Sequence, residues 1–350
     1  MRIGIAFDLK ADFASSQSAS VASSSDARPH APEDSPPDDL LEEYDSPATV
    51  EAISRVLASR GHEPLLLGGG RRFVERALEA RPELVFNIAE GRGSRSREAH
   101  VPAVCEMLGI ACTHSDPLTM AVSLDKGMAK RVVASAGVPT PRFAVIEHAR
   151  QLADVELAYP LFAKPLFEGS SMGVRRRSRV ESPGELAERV QRLLDHYGEP
   201  VLVEEFCAGN EFTVAVLGTG AGAQVVSAME VVPLVTPIAD FVYSLEVKRN
   251  PNWREEIRYD APPRRPLREL AAIEKVALDA YRALGCRDVG RVDVRCDGEN
   301  APKFIEVNPL PGLAPGWSDL ALLWERIGRS YDDLILSILD SACARLRLRA

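Results

Sequence analysis

The sequence lacks paired cysteines and long apolar runs. Its six cysteines are scattered without a CxxC pair, so neither a zinc knuckle nor a disulfide framework is predicted, and a reducing compartment is expected. No run approaches the roughly 18 apolar residues of a membrane-spanning helix. Met1 leads directly into a strand-like segment without a signal-type core. We therefore expect a cytoplasmic protein with no membrane partner.

Basic side chains are also in the minority, at 42 against 51 acidic ones, which gives a formal charge of -9. This balance disfavours a protein whose main ligand is nucleic acid. The chain has 350 residues, 45% of them hydrophobic, which allows two or three domains with ordinary cores. The composition thus predicts a soluble globular protein without a nucleic-acid partner.

Large apolar side chains are almost absent from Ala11 to about Asp39, where Ser, Ala, Asp and Pro predominate. Such a segment cannot bury enough surface to offset the conformational entropy that it would lose on ordering. It follows the first strand and precedes the first helix, so it is an insertion in a loop. We expect it to be disordered, and a flexible lid over a site is the alternative.

Helices and strands alternate after this insertion. Ser46 followed by Pro47 predicts the start of a helix. Pro64–Leu67 and Leu84–Ile88 are predicted as buried strands with a helix between them, which is the order of a parallel sheet. Residues 1–122 therefore form a predicted open α/β domain. They contain no GxGxxG turn, which disfavours a dinucleotide site.

A glycine-rich loop follows the next helix, which is predicted over Leu124–Ala136. In FAKPLFEGSSMGV a strand ends at Lys164, and the loop contains Gly169 and Gly173. Glycines let backbone N–H groups approach an anion, while hydroxyls add donors and the lysine adds charge. This chemistry suits phosphate. A tight β-turn with solvated serines is the alternative.

Two strands near the C-terminus bring acidic and amide side chains together. The segment GRVDVRCDGENAPKFIEVNPLPG predicts an antiparallel hairpin with its turn at Asp297–Asn300. Because residues two apart share one strand face, Asp293 can lie beside Glu306 and Asn308. Such oxygen ligands suit magnesium. A solvent-exposed face with paired charges is the alternative.

Six segments in one order carry a resemblance to a known family. They are VFNIAEGRG, LGIACTHSDPLTMAVSLDKGMAKRVVASAGVPTP, FAKPLFEGSSMGV, VLVEEFCAGNEFTVAVLG, GRVDV and FIEVNPLPG. Through them the chain resembles the D-alanine-D-alanine ligase family of the ATP-grasp superfamily over about Leu84–Gly312. The resemblance implies an α/β (α+β) ATP-grasp fold, in which a central lobe (123–207) and a C-terminal lobe (208–350) clamp ATP beside the open parallel layer (1–122).

The resemblance further implies ATP and two Mg²⁺ ions, with Mn²⁺ as the alternative metal. The implied nucleotide-binding residues are Lys126, Phe162, Lys164, Glu168, Ser170, Ser171, Glu204, Glu205, Phe206, Cys207, Glu211, Lys248 and Ile305. The implied metal ligands are Asp293, Glu306 and Asn308. Among these, the two lysines Lys126 and Lys164 would neutralise phosphates, and the glutamate Glu211 would hold the ribose hydroxyls.

The implied reaction is acyl activation followed by aminolysis. A substrate carboxylate attacks the γ-phosphorus of MgATP, and an amine then attacks the acyl phosphate. Arg291, the backbone N–H of Gly312 and Ser170 are the implied catalytic groups. Val235–Asp260, which contains Lys248, corresponds to the family's covering loop. The resemblance thus implies an ADP-forming ligase of peptidoglycan biosynthesis.

The positions expected to bind the amino acids depart from the family pattern. The family's N-terminal glycine-rich turn with its acidic residue is missing. Glu90 replaces a family histidine and Arg249 replaces a tyrosine. The family's Ser-Leu pair is absent, and Ser318 is the residue expected to take its place. Glu42, Glu43 or Asp45 is expected to replace the missing acid, and the other residues expected to bind substrate are Glu90, Arg249 and Ser318.

Several alternatives stay open at these positions. Arg95 and Arg97 are expected to be solvated loop charges, and a clamp for a substrate carboxylate is the alternative. Glu90 can pair with a substrate ammonium or accept from backbone amides.

Three functions are compatible with the sequence. They are a ligase that makes D-Ala-D-Ala or a related dipeptide, the same chemistry on another amino acid or peptide pair, and a non-catalytic nucleotide-binding protein. Small-molecule substrates are the expected partners of the first two. The resemblance also implies a homodimer through the N-terminal layer.

Overall fold

The computed structural model describes residues 1–13 and 37–348. Most of the segment expected to be disordered therefore lies outside the described residues. At Asp39 that expectation is wrong, because this side chain is fully buried and accepts hydrogen bonds from Gly173, Arg175 and Tyr197. Within residues 1–13 and 37–348, no helix is both long enough and apolar enough to cross a membrane.

The first sheet is parallel, with the strand order β2-β1-β3-β4. Its strands are β1 (Arg2–Ala6), β2 (Glu63–Leu66), β3 (Leu84–Asn87) and β4 (Ala111–Cys112), and its helices are α1 (Pro47–Ser59), α2 (Gly70–Ala80) and α3 (His100–Leu108). Ser46 caps α1, as predicted, by accepting from the N–H of Thr49. The predicted parallel α/β layer is confirmed.

Two short helices connect this layer to the rest of the chain, α4 (Pro117–Leu124) and α5 (Lys126–Ser135). The prediction of one helix starting at Leu124 is wrong, because Asp125 leaves the helical conformation at φ -79° and ψ 94°. Its carboxylate accepts from the N–H of Met128 and so caps α5. The break places Lys126 at the first position of α5.

The second sheet is antiparallel, with the order β5-β8-β6-β7. It consists of β5 (Phe143–Ile146), β6 (Leu161–Pro165), β7 (Arg179–Val180) and β8 (Val201–Glu205), covered by α6 (Pro183–Tyr197). Leu186, Val190 and Leu193 of α6 are buried against it. The glycine-rich loop connects β6 to β7, so the strand before the loop is anchored in this sheet, as predicted.

The third sheet has the order β11-β10-β9-β12-β13 and is antiparallel throughout. Its strands are β9 (Glu211–Leu217), β10 (Gln224–Pro233), β11 (Ile257–Asp260), β12 (Val289–Cys296) and β13 (Pro302–Asn308). Between β10 and β11 the chain forms α7 (Leu245–Arg249) and α8 (Trp253–Glu256). The predicted C-terminal hairpin is confirmed as β12 and β13.

Helices cover both faces of the third sheet. They are α9 (Leu267–Ala283) on one face, and α10 (Asp319–Arg326) and α11 (Tyr331–Leu346) on the other. A continuous apolar core joins Ile5 and Phe86 of the first sheet to Trp324 and Leu339 of these last two helices. This shared core fixes the N-terminal layer against the third sheet, where its loops border the functional site.

Candidate active site

A cleft with an empty volume of about 910 Å³ lies between the second and third sheets. It brings together most of the residues implied to bind nucleotide and metal. Its lining includes Lys126, Phe162, Lys164, Glu168, Ser171, Glu204, Glu205, Phe206, Cys207, Glu211, Lys248, Arg291, Asp293, Ile305 and Glu306. These residues come from both sheets and from the segments that cover them, so the fold assembles the cleft from distant parts of the chain.

Aromatic rings form one wall of the cleft. Phe162 on β6 and Phe206 after β8 stack with centroids 6.1 Å apart and an interplanar angle of 25°. The guanidinium of Arg295 lies 4.5 Å from the centroid of Phe206 and thereby orients this ring. A flat apolar wall beside open space suits a planar ligand ring.

Buried lysines neutralise the acids at the centre of the cleft. Lys164 contacts Glu306 at 3.0 Å and Glu204 at 3.5 Å. Lys130 contacts the other carboxylate oxygen of Glu204 at 2.6 Å. Burial alone would lower the pKa of Lys164, but Glu306 and Glu204 raise it above its usual value. Lys164 therefore stays charged within the cleft.

The glycine-rich loop covers the adjoining side. Lys126 donates to the backbone oxygen of Glu168 at 2.5 Å. Ser170 and Ser171 adopt left-handed φ values of 47° and 61°, which few residues other than glycine adopt. The loop therefore holds a strained conformation that its surroundings must maintain.

The β12–β13 hairpin presents the predicted oxygen ligands. Asp293 lies directly opposite Glu306, and Arg291 lies opposite Asn308. The Asp293 carboxylate accepts from Thr213 at 3.0 Å and from Arg291 at 2.9 Å. Burial raises the pKa of Asp293, and Arg291 opposes this shift. The predicted grouping of one amide and two carboxylates on neighbouring strands is thus present.

A second cavity adjoins the cleft and shares Tyr243, Lys248, Arg291 and Asp319 with it. The remaining predicted residues lie here. They are Glu43, Asp45, Glu90, Ser170, Arg249, Asn308, Gly312 and Ser318. Ligands in the two spaces would therefore meet at Arg291, which belongs to both linings.

Two candidate substrate residues are engaged by other parts of the protein. Arg249 donates to Glu42 at 2.7 Å and also pairs with Asp38. Glu43 accepts from Arg97 at 2.8 Å and from the N–H of Gly169. These side chains connect segments of the protein, a role that no local sequence pattern indicates.

Asp45 and Glu90 remain acidic groups of the second cavity. Burial raises the pKa of Asp45 to about 7. Burial likewise raises the pKa of Glu90 well above its usual value, and the neighbouring Glu98 adds to the shift. Both groups are therefore poised to gain a proton or a cationic partner.

Arg95 and Arg97 differ in their surroundings. The Arg95 side chain is 66% exposed and contacts Asp125 at 3.1 Å, so its expected solvation is confirmed. For Arg97 that expectation is wrong. Its side chain is only 8% exposed and pairs with Glu43 and Glu168 at 2.8 and 3.1 Å, because the folded chain encloses it between the N-terminal layer and the loop.

Asp319 is a site residue that the sequence patterns did not predict. This carboxylate at the start of α10 lies 3.6 Å from Lys248 and 3.7 Å from Arg291. Tyr243 also donates to it at 3.3 Å. No local pattern marks Asp319, because its partners come from two other segments of the chain, the covering loop and β12. The boundary between the two cavities therefore contains an acidic side chain as well as the cations Lys248 and Arg291.

Comparison with known proteins agrees with this architecture. The family described as "D-ala D-ala ligase C-terminus" matches residues 132–340. The D-alanine-D-alanine ligase of Bordetella pertussis is 34% identical over 302 residues, which cover 85% of this chain and 90% of that protein. The uncharacterised protein y4sG of Sinorhizobium fredii is 32% identical over 312 residues, covering 85% and 88%.

Solved structures share the fold. The VanG D-Ala:D-Ser ligase of Enterococcus faecalis has a TM-score of 0.69 at 21% identity and covers 97% of this chain and 99% of its own. The D-alanine-D-alanine ligase of Bacillus anthracis has a TM-score of 0.69 at 18% identity and covers 99% and 98%. The predicted ATP-grasp fold is confirmed. The chain belongs to the D-alanine-D-alanine ligase family and is an ATP-dependent ligase that forms peptide bonds.

Proposed function

We propose that the cleft binds MgATP and that a substrate carboxylate is activated there as an acyl phosphate, in the cytoplasm where MgATP is supplied. The observation that carries this proposal is the shared boundary of the two cavities. Arg291 and Lys248 line both, so a phosphate in the cleft and a carboxylate in the second cavity would meet between two cations. Such alignment is the main requirement of phosphoryl transfer.

The nucleotide would lie with its ring against the Phe162–Phe206 wall and its phosphates toward Lys126 and Lys164. Phe162 and Lys164 line the same cleft from one face of β6, two residues apart, so a ligand along this strand would reach from the ring wall to the lysine. Ser170 and Ser171 would close over the phosphates from the loop. Glu211 at the start of β9 would face the ribose, where carboxylate oxygens can accept from hydroxyls.

The hairpin fits a divalent cation. Two carboxylates directly opposite each other, Asp293 and Glu306, repel unless positive charge lies between them. The described residues hold no group of three or more His, Cys, Asp and Glu that could bind a metal by themselves, so Asn308 and ATP phosphates would complete the ligand set. Mg²⁺, when bound, would neutralise the charge on the transferred phosphoryl group.

The chemistry would proceed in two steps. A carboxylate oxygen forms a bond to the γ-phosphorus while the bond to the ADP oxygen breaks. An amine then attacks the acyl carbon, loses a proton, and inorganic phosphate departs. Arg291 would stabilise both the phosphoryl group and the tetrahedral oxyanion, together with the N–H of Gly312.

The substrates follow from the relatives and from the second cavity. Several relatives are D-alanine-D-alanine ligases, and we propose a pair of D-alanines or a closely related amino acid pair. Asp319 favours a related pair as the second candidate, because its carboxylate already neutralises Lys248 at the boundary where a substrate carboxylate would bind.

Phosphate release tests this function. Wild-type protein with MgATP is offered a panel of D- and L-amino acids and dipeptides, and hydroxylamine is added to trap any acyl phosphate. We expect amino-acid-dependent ADP formation and a hydroxamate of the donor acid. Silence across the panel, with nucleotide still bound, would instead support a non-catalytic nucleotide-binding protein.

A homodimer through the N-terminal layer is part of the proposal. Met107 on α3 and Leu118 on α4 are 84% and 73% exposed, which leaves apolar surface on this layer for a second copy. Light scattering should give twice the chain mass, and Met107→Glu together with Leu118→Glu should halve it. A monomeric wild-type protein would exclude this part of the proposal.

A further inference from the structure

Four acids in one turn, residues 38–43, reach two covering segments of the site. Asp39 and Glu43 accept from the backbone N–H groups of Gly173 and Gly169, respectively. These acids are four residues apart, and so are the two glycines that they contact. Both ends of the glycine-rich loop are therefore held by a single turn of the N-terminal segment, which we call the acidic turn.

The carboxylate of Asp39 is buried, and both of its oxygens accept hydrogen bonds. Its carboxylate accepts from Gly173 N–H and Arg175, both at 2.9 Å, and from the Tyr197 hydroxyl at 2.8 Å. The side chain has no solvent exposure. Because a buried carboxylate is costly without such partners, the position of this acid and the position of the loop end depend on each other.

The contact at Glu43 is possible because residue 169 is a glycine and has no Cβ atom. A Cβ atom on Gly169 would lie 2.6 Å from Glu43 Oε1, so only glycine allows the carboxylate to approach this N–H. Glu43 also accepts from the buried guanidinium of Arg97 at 2.8 Å. Arg97 in turn contacts Glu168, the residue before Gly169. The start of the loop is thus held through both its backbone and its side chain.

The two remaining acids of the turn hold the covering helix α7. Arg249, its last residue, donates to the backbone oxygen of Asp38 at 2.9 Å and to the carboxylate of Glu42 at 2.7 Å. At the other end of α7, the N–H of Leu245 donates to the oxygen of Val174, just after the loop, at 3.1 Å. The acidic turn, the loop and α7 therefore form one hydrogen-bonded unit.

We propose that the acidic turn is a clasp, in which Asp39 and Glu43 act as positioning residues that set the glycine-rich loop over the cleft, while Asp38 and Glu42 couple its closure to α7. The inference rests on the proposed function only in assuming that the loop covers ATP phosphates. In this arrangement Glu43 holds an N–H group of the loop in the closed position before nucleotide arrives.

Limited proteolysis tests the clasp without any turnover. Arg176 and Arg177 follow the loop and are exposed, so trypsin cleavage there reports how often the loop opens. Loss of a hydrogen bond to a charged acceptor shifts an opening equilibrium by about tenfold. We expect Asp39→Asn and Glu43→Gln to be cleaved about tenfold faster than wild type, and the ATP analogue AMP-PNP to restore much of the protection. Glu79→Gln, on the exposed side of α2, is the control.

Cleavage rates within twofold of wild type in both variants would overturn the clasp. If Asp39→Asn fails to fold, the cleavage rates of Glu43→Gln and of the surface variant Arg249→Gln still test whether the acidic turn holds the loop closed. The double variant Asp38→Asn with Arg249→Gln should be less open than the sum of the two single effects, because the two substitutions share the Arg249–Asp38 ion pair. Fully additive effects would contradict coupling through this pair.

Steady-state kinetics separate positioning from a general loss of structure. With MgATP and D-alanine as the probes, Glu43→Gln should raise the KM for ATP about tenfold with a smaller change in kcat, and should raise the fraction of ATP hydrolysed without dipeptide. Unchanged KM and coupling in an active, folded variant would refute the clasp. An inactive wild-type protein would instead refute the proposed function, while the proteolysis result would stand.

Discussion

Asp293 and Glu306 occupy directly opposed positions on the two strands of the C-terminal hairpin, with both side chains lining the cleft. Each is paired with a cationic side chain among the described residues, Asp293 with Arg291 and Glu306 with Lys164. Opposed carboxylates of this kind repel each other, and these cationic side chains offset the repulsion. The Mg²⁺ ion proposed for this site would add positive charge between the two carboxylates.

The first prediction concerns this pair. Asp293→Asn and Glu306→Gln keep the shape of each side chain and remove its negative charge, so each should lower ADP formation by about 100-fold or more. ADP release in the presence of amino acid is the measurement. Glu299→Gln, in the exposed turn of the same hairpin, should retain wild-type turnover. ADP formation at the wild-type rate in both acid variants would eliminate the metal assignment.

The second prediction compares the two neighbouring arginines of the loop after β3. Arg97→Met leaves the buried carboxylates of Glu43 and Glu168 without their shared cation, which should lower the free energy of unfolding by about 3–5 kcal/mol. Arg95→Met removes a largely exposed charge and should cost only about 0–1 kcal/mol. Urea unfolding of both variants measures the difference. Equal midpoints for the two would show that the Arg97 cluster contributes nothing to stability.

The contrast between these arginines shows which features are predictable from the sequence. The grouping of Asp293 with Glu306 is predictable as far as each strand's own alternation goes, because that alternation is local. Their exact register is not predictable, because Asp293 pairs with Glu306 only after a bulge between Asp293 and Val294. The burial of Arg97 is not predictable, because its partners lie more than 50 residues away on either side. The burial of Lys130 on α5 is not predictable either, because its partner Glu204 lies far along the chain, on β8 of the second sheet.

The break at Asp125 escapes prediction for a different reason. The apolar pattern continues through α4 into α5, so periodicity alone favours one helix. The carboxylate of Asp125 instead accepts from Met128 N–H, and this local hydrogen bond competes with the helical backbone. A capping residue within a periodic stretch is thus the signal that could locate the break.

The third prediction concerns Gly173, at the end of the glycine-rich loop. Its φ of 67° is left-handed, and a Cβ atom there would lie 2.4 Å from Cγ of Pro165. Gly173→Ala should therefore destabilise the protein by about 1–3 kcal/mol. Gly184, in the first turn of α6, has open space around its Cα, and Gly184→Ala should instead stabilise by about 0.5–1 kcal/mol. Thermal unfolding of the two variants should move in opposite directions, and movement in the same direction would contradict this account of the loop.

The last prediction concerns pH and the buried His114. Burial lowers the pKa of its imidazole to about 3, and the nearby Arg345 adds to the shift. Asp288, which accepts from the His114 backbone N–H at 2.9 Å, is itself paired with Arg345 at 2.7 Å. Thr113 occupies Nδ1 of the ring at 2.8 Å. The folded protein therefore keeps this ring neutral where an unfolded chain would protonate it.

The sign of the effect follows from these two protonation states. In the unfolded chain the pKa is near 6.5, so between pH 6.5 and about 3 the unfolded state binds one more proton than the folded state. Stability contributed by His114 is therefore complete above pH 6.5 and falls as the pH decreases. Lowering the pH from 7 to 5 should cost about 2 kcal/mol through this residue alone.

His114→Asn isolates this contribution, because asparagine tolerates the left-handed φ of 67° at this position and does not titrate. The free energy of unfolding is measured by urea for both proteins at pH 7 and pH 5. Wild type should lose about 2 kcal/mol more than the variant over this interval. Parallel losses in the two proteins would mean that His114 is protonated in the folded state, and hence that the enclosure between Arg345 and Phe86 does not exclude its charged form.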